Sequence, residues 1–257
     1  MPRAFTRAVS PRIAECALTH LDRRPIDPMR AAAQHSAYEQ ALKDAGYGLI
    51  RLPDLPHDPD AVFVEDTAIL LGDQAVITRP GAKSRAREIY STAEGLRSHF
   101  DILYLPAGTL DGGDVLRIEN RLYVGQSSRT DIMGTQALEA LVSPMGYRVM
   151  PVELDRCLHL KTAVTFAGLD DKGVPTILVN PDWVDPDLFS DTRAVEVSPD
   201  EPFAANVVSA GDRLIMAAGS PRTRNRLRGR GFRVVEVDVS ELQKAEAGGT
   251  CMSLLSD

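Results

Sequence analysis

Five polar residues recur along this chain at nearly equal steps. Asp66, Asp114, Thr162, Asn206 and Cys251 each stand at the mouth of a short apolar segment, and subtracting their positions gives separations of 48, 48, 44 and 45 residues. A period of about 45 residues marks an array in which one supersecondary unit is reused around an axis. In the first unit a strand over 62–71 is interrupted by Glu65 and Asp66, Gly72-Asp73 turns the chain, and Ala75-Val76-Ile77-Thr78 returns. A helix over 84–100, with Ser84 as N-cap, and the strand Ile102-Leu103-Tyr104-Leu105 complete it.

The order then repeats. The second round holds a strand over 112–118, a turn at Glu119-Asn120, a return over 122–125, a helix over 134–142 and a strand over 147–150. The third has a strand over 159–166, a turn near 170–173 and a strand over 176–179. The fourth has strands over 204–208 and 214–216, a basic helix over 222–228 and a strand over 232–237. The fifth is the strand that Cys251 opens, expected to close onto N-terminal segments. Ahead of the first unit, a helix over 29–45 takes Asp27 as N-cap, Pro28 at its first position and Gly46 as its stop. Five strand–hairpin–helix–strand units imply a propeller-like α/β fold with one loop per unit around a central site. A doubly wound sheet competes, but no Gly-x-Gly-x-x-Gly or phosphate loop follows any strand, so a nucleotide site has no support.

Composition narrows the partners. The formal charge of −7 over 257 residues argues against nucleic acid or an anionic membrane and favours a cationic small molecule. No apolar run approaches the roughly 20 residues of a membrane span, and the N-terminus lacks a secretory h-region. Cys16, Cys157 and Cys251 are scattered and odd in number, which gives neither a disulfide framework nor a zinc spacing. A cytoplasmic protein with one domain over 1–257 and no metal or organic cofactor is expected.

The unit mouths hold the chemistry. Glu246-Ala247-Gly248-Gly249-Thr250-Cys251 reads as a permissive turn delivering a thiol to the start of a strand, which suits a nucleophile, although free cysteines are often packed simply as core. Glu65 and Asp66 inside an apolar strand are costly unless paired, either with an arginine of the chain or with a bound cation. A guanidinium matches such carboxylates through its planar fork of donors. His159, between Leu158 and Leu160, is either a core residue or the acid/base that Cys251 needs. Asp111-Gly112-Gly113-Asp114 is either a capped turn or a place where backbone approaches a ligand. Arg85 and Arg129 each follow a returning strand, either as solvated arginines or as a carboxylate clamp.

As a series, Phe63-Val64-Glu65-Asp66, Leu110-Asp111-Gly112-Gly113-Asp114, Leu158-His159-Leu160-Lys161-Thr162, Ala204-Ala205-Asn206 and Thr250-Cys251-Met252-Ser253-Leu254 resemble the motifs of the dimethylarginine dimethylaminohydrolases, within the guanidino-modifying superfamily of arginine deiminases and amidinotransferases. The resemblance runs from about Leu18 to the C-terminus. It implies a five-bladed α/β propeller (pentein) and, for bacterial members, a homodimer. It implies Cys251 as nucleophile, His159 as acid/base and Asp111 as the carboxylate that orients it. It further implies Glu65 and Asp66 at the guanidinium, Asp60 and the Ala245 carbonyl at the α-ammonium, Arg85 and Arg129 at the α-carboxylate, and Leu18 at the tip of a mobile lid. Some bacterial relatives carry Glu where this chain has Asp111, an arm shorter by about one methylene. Arginine deiminases typically carry an acid two residues after the histidine; here that position is Lys161, which suits a methylated guanidinium. The implied reaction releases citrulline from methylated arginine by way of a thiouronium on Cys251. The alternatives are another guanidino substrate (arginine, agmatine or a shorter guanidino acid) and a non-catalytic propeller that only binds.

Overall fold

A computed structural model describes residues 1–256. The chain opens with β1 (Arg3–Thr6), α1 (Pro28–Asp44) and β2 (Gly48–Arg51), followed by β3 (Ala68–Leu71), β4 (Gln74–Ile77), α2 (Glu88–Leu96) and β5 (Asp101–Tyr104). Next come β6 (Val115–Ile118), β7 (Arg121–Gln126), α3 (Ile132–Val142), β8 (Arg148–Glu153), α4 (Leu160–Ala163), β9 (Val164–Leu169), β10 (Pro175–Val179) and β11 (Arg193–Glu196). The last elements are β12 (Val207–Ala210), β13 (Arg213–Ala217), α5 (Pro221–Arg228), β14 (Arg233–Val237), α6 (Ser240–Gln243) and β15 (Leu254–Ser256).

The strands form five three-stranded sheets: β3-β4-β5, β6-β7-β8, β9-β10-β11, β12-β13-β14 and β15-β1-β2. Each has one plan, an inner strand antiparallel to a central strand that runs parallel to the outer one. The antiparallel step needs only a hairpin, whereas the parallel step needs a crossover. Central strands are covered on both faces, which explains continuous apolar runs such as Ala75-Val76-Ile77 and Leu214-Ile215-Met216 in place of alternation. A cavity of about 260 Å³ is lined by Leu70, Leu116, Phe166, Val208 and Leu255, one from the inner strand of each sheet, so the five sheets ring a common axis. The repeat is therefore a five-bladed propeller, and the fifth blade is assembled from the two ends of the chain.

Several local expectations hold. Asp27 accepts from the Met29 and Arg30 amides, Pro28 starts α1, and Gly46 turns with φ +95°. Three differ. The first-blade helix begins at Glu88 and not at Ser84, because Lys83–Arg85 coils into a 3-10 turn that drives Arg85 into the interior. The third helix begins at Ile132, where the Asp131 carboxylate takes the Gly134 amide at 2.7 Å. The third blade has only a 3-10 turn, Pro186–Phe189, between β10 and β11, since Pro181 and Pro186 break helix and Asn180 and Asp185 fold turns onto Asp182 and Asp187.

The repeated polar residues stitch neighbouring blades. Asp66 Oδ1 accepts from the Gly113 amide at 3.1 Å, and Asp114 Oδ1 from the Leu160 amide at 2.9 Å. In the third blade the contact comes from Thr165 and not from the periodic Thr162: its hydroxyl donates to the Ala205 carbonyl at 2.6 Å, while Asn206 accepts from the Thr250 amide at 3.0 Å. Buried polar groups require such partners, so each blade fixes the mouth of the next.

Candidate active site

The carboxylates expected within a strand, and the histidine expected within another, lie on the turns that enter inner strands. Glu65 and Asp66 belong to a 3-10 turn, Val64–Thr67, ahead of β3; His159 caps α4 ahead of β9; Cys251 lies on the turn Thr250–Met252 ahead of β15. This placement matters because a turn can aim a side chain at the axis, whereas a strand alternates its faces.

One cavity brings Asp60, Asp66, Arg85, Arg129, His159, Ala245 and Cys251 together, with Phe63, Leu158 and Ala247 as apolar wall. It measures about 20 Å³, room for about one water. Over it lies the segment 17–21, whose Ala17 amide sits 3.2 Å from both Asp60 oxygens.

Asp111 is fully buried behind His159. Its Oδ2 lies 3.0 Å from His159 Nε2, and its Oδ1 accepts from the Gly81 amide at 2.8 Å. The shorter arm of aspartate therefore reaches the imidazole. The other ring nitrogen, Nδ1, is 3.8 Å from Asp66 Oδ1. Room for the ring exists because residue 113 is glycine: a Cβ there would come within 2.6 Å of His159 Nδ1 and 2.7 Å of Asp66 Oδ1. Burial alone would lower the His159 pKa, but Asp66, Asp111 and Asp114 outweigh it and lift it to about 9. The imidazole is thus a cation at neutral pH. Asp66 is held below the usual carboxylate range: burial opposes ionisation, but His159 and Arg85 overcome it.

The Cys251 thiol is pushed up to about 12, first by burial and then by Glu65 and Asp66, against the pull of the Gly248 amide and Lys161. The Gly248 amide lies 3.4 Å from Sγ. A nearby positive charge is what this thiol needs in order to ionise.

Arg85 is already engaged. Its Nε faces both Glu88 oxygens at 3.2 Å, Nη1 meets Asp66 at 2.5 Å, and Nη2 reaches the Phe63 carbonyl at 2.7 Å and Glu88 at 2.9 Å. It lines the cavity chiefly as the anchor of Asp66. Arg129 bonds Thr19 Oγ1 at 3.0 Å through Nη2. Glu65 does not line this cavity. It faces the axial one and bonds Lys161 Nζ at 2.6 Å, because burial makes a lone carboxylate there untenable. Leu18 is likewise absent from the lining and packs against an apolar cluster that includes Ile13, Tyr38 and Met252. The structure adds Ala17 and Glu246 to the cavity wall; the signal for Glu246 was a lone acid beside the Gly248-Gly249 turn.

Asp66, Asp111 and His159 also sit close enough to share a cation. Within the protein these donors are already engaged: Asp66 accepts from Arg85 and the Gly113 amide, and Asp111 accepts from the Gly81 amide and faces His159 Nε2.

The chain is 40% identical over 98% of its length, and 96% of the relative's, to an N(G),N(G)-dimethylarginine dimethylaminohydrolase of Streptomyces coelicolor. The chain belongs to the dimethylarginine dimethylaminohydrolase family. Among solved structures, a cysteine-to-serine mutant of the dimethylarginine dimethylaminohydrolase of Pseudomonas aeruginosa, complexed with citrulline, superposes with TM-score 0.93 at 32% identity, covering 99% of this chain and 98% of that one. A histidine variant of a dimethylarginine dimethylaminohydrolase, in adduct with S-methyl-L-thiocitrulline, gives 0.91 at 32% identity with full coverage of both chains. No family model matches. The pentein fold of the dimethylarginine dimethylaminohydrolases is thus present from end to end, with no helix long and apolar enough to cross a membrane among the described residues.

Proposed function

We propose that the protein hydrolyses N-ω-methylated arginine to citrulline and the corresponding methylamine. The observation that carries this is the convergence, in one cavity of a dimethylarginine dimethylaminohydrolase relative, of the Cys251 thiol, the His159 imidazole backed by Asp111, and the Asp66 carboxylate.

Asp66 holds the plane of the guanidinium, and Arg129 takes the α-carboxylate with Arg85 adding charge from behind. Asp60 takes the α-ammonium in place of the Ala17 amide, beside the Ala245 carbonyl. The bound cation lowers the Cys251 pKa, and the thiol proton passes to solvent. The thiolate attacks the guanidinium carbon, His159 protonates the departing dimethylamine as the C–N bond breaks, and a thiouronium remains on Cys251. Neutral His159 then takes a proton from water, the new hydroxide oxygen adds to the same carbon, and loss of the thiolate, with the hydroxyl proton passing to solvent, leaves citrulline.

Lys161 supports a methylated substrate. Its ammonium pairs with Glu65 on the axial side, outside the cavity, so no second carboxylate there meets the terminal nitrogen of plain arginine. Separate incubation with asymmetric dimethylarginine, monomethylarginine, arginine and agmatine tests the reading. Citrulline should arise from the methylated substrates and vanish in Cys251→Ser; turnover of arginine or agmatine alone would contradict the role given to Lys161.

A further inference from the structure

The segment over the cavity is held by a carboxylate from the opposite side of the site. Glu246 Oε1 and Oε2 accept from the Thr19 amide at 3.1 and 3.0 Å, and Oε1 also accepts from the His20 and Leu21 amides at 2.5 Å each. Three consecutive N–H groups turned onto one anion form a nest, an arrangement that favours negative charge. The backbone of Glu246 itself adopts φ +59°, the left-handed region that L-residues avoid unless their surroundings hold them there. That conformation aims the side chain across the cavity mouth. Thr19 is gripped a second time, by Arg129.

We infer that Glu246 is a positioning residue that latches the lid over the substrate, acting through the amides of Thr19, His20 and Leu21. The inference rests on the proposed function only for what the lid encloses. A cavity of about 20 Å³ cannot admit an amino acid while these bonds are made, so the lid must release and re-form them each cycle. Both Glu246 oxygens are committed to the lid, so the residue sets how long the site stays shut and takes no part in proton transfer. Because Arg129 bonds the lid and faces the α-carboxylate position, substrate binding and latching reinforce one another.

Amide hydrogen exchange on the free protein, together with steady-state kinetics on asymmetric dimethylarginine, tests this in Glu246→Gln, Glu246→Asp and Thr19→Val. The glutamine variant should exchange at 19–21 at least about tenfold faster, and KM should rise about tenfold with kcat within about twofold. Aspartate tolerates the left-handed backbone and keeps the charge, so it should restore most of the protection. Thr19→Val, which leaves the carboxylate in place, should keep His20 and Leu21 protected. Unchanged exchange in Glu246→Gln, or loss of kcat at constant KM, would overturn the latch. If the unmodified protein turns over no methylarginine, the proposed function fails while the exchange comparison still decides the latch.

Discussion

In the proposed reaction proton transfer depends on the pair formed by Asp111 and His159, and their coupling sets two expectations. Asp111→Asn keeps the shape but removes the charge opposite Nε2, 3.0 Å away. The kcat should fall about 10²-fold, and the alkaline limb of kcat/KM, near the His159 pKa of about 9, should move to lower pH in a rate profile. The same pair is linked to stability. The folded pKa of about 9 lies above the unfolded value of about 6.5, so the contribution of protonated His159 is complete below pH ~6.5 and disappears as the pH rises through 9. Urea titrations of His159→Gln should show a smaller loss of stability across that window than the unmodified protein. These residues were legible as a motif series and not as a geometry. Nothing in the order of residues shows that Glu65 turns to the axis and pairs with Lys161 while Asp66, its neighbour, turns to the cavity.

At the scale of elements, the turns before the inner strands carry both the stitching and the chemistry. Asp114 is the clearest structural member: fully buried, it accepts from the Leu160 amide and from the Ser127 and Thr130 hydroxyls at 2.6 Å each. Asp114→Ala strands all three donors and should cost about 3 kcal/mol in denaturant unfolding. Since Leu160 N is the anchor of the turn bearing His159, activity should fall in the folded fraction as well. Cys251 occupies the corresponding position in the fifth blade, and among the described residues its sulfur accepts from the Gly248 amide, just ahead of its turn, and bridges to no neighbouring blade. The hairpins and their order were readable from apolar runs and turn residues. Helix starts were less so. The Lys83–Arg85 turn answers to the burial of Arg85 against Asp66 and Glu88, a tertiary demand that overrides the local capping signal of Ser84.

Across the whole molecule, closure of the ring joins the chain ends. β15 pairs with β1, and Phe5 packs fully buried with Phe100 at 5.6 Å and in one cluster with Leu254 and Leu52. Phe5→Ala should cost about 3–5 kcal/mol, and as the blades are stitched in series its unfolding should remain one transition by circular dichroism and by tryptophan fluorescence. The period of the five polar residues made this architecture visible in advance, because each blade must repeat the same short set of turns to reach the axis. The substrate cavity draws on the first, second, third and fifth blades and on Ala17, while the fourth-blade turn expected beside it, at Asn206, does not line it and instead anchors the Thr250 amide. The central claim is that Cys251 attacks the guanidinium carbon of methylated arginine. It is tested most directly by acid-quenching the protein during turnover of asymmetric dimethylarginine and measuring the mass of the Cys251 peptide. A covalent adduct on that peptide, which decays to free thiol as citrulline appears, is the expected result; citrulline formed at the full rate by Cys251→Ser would contradict it.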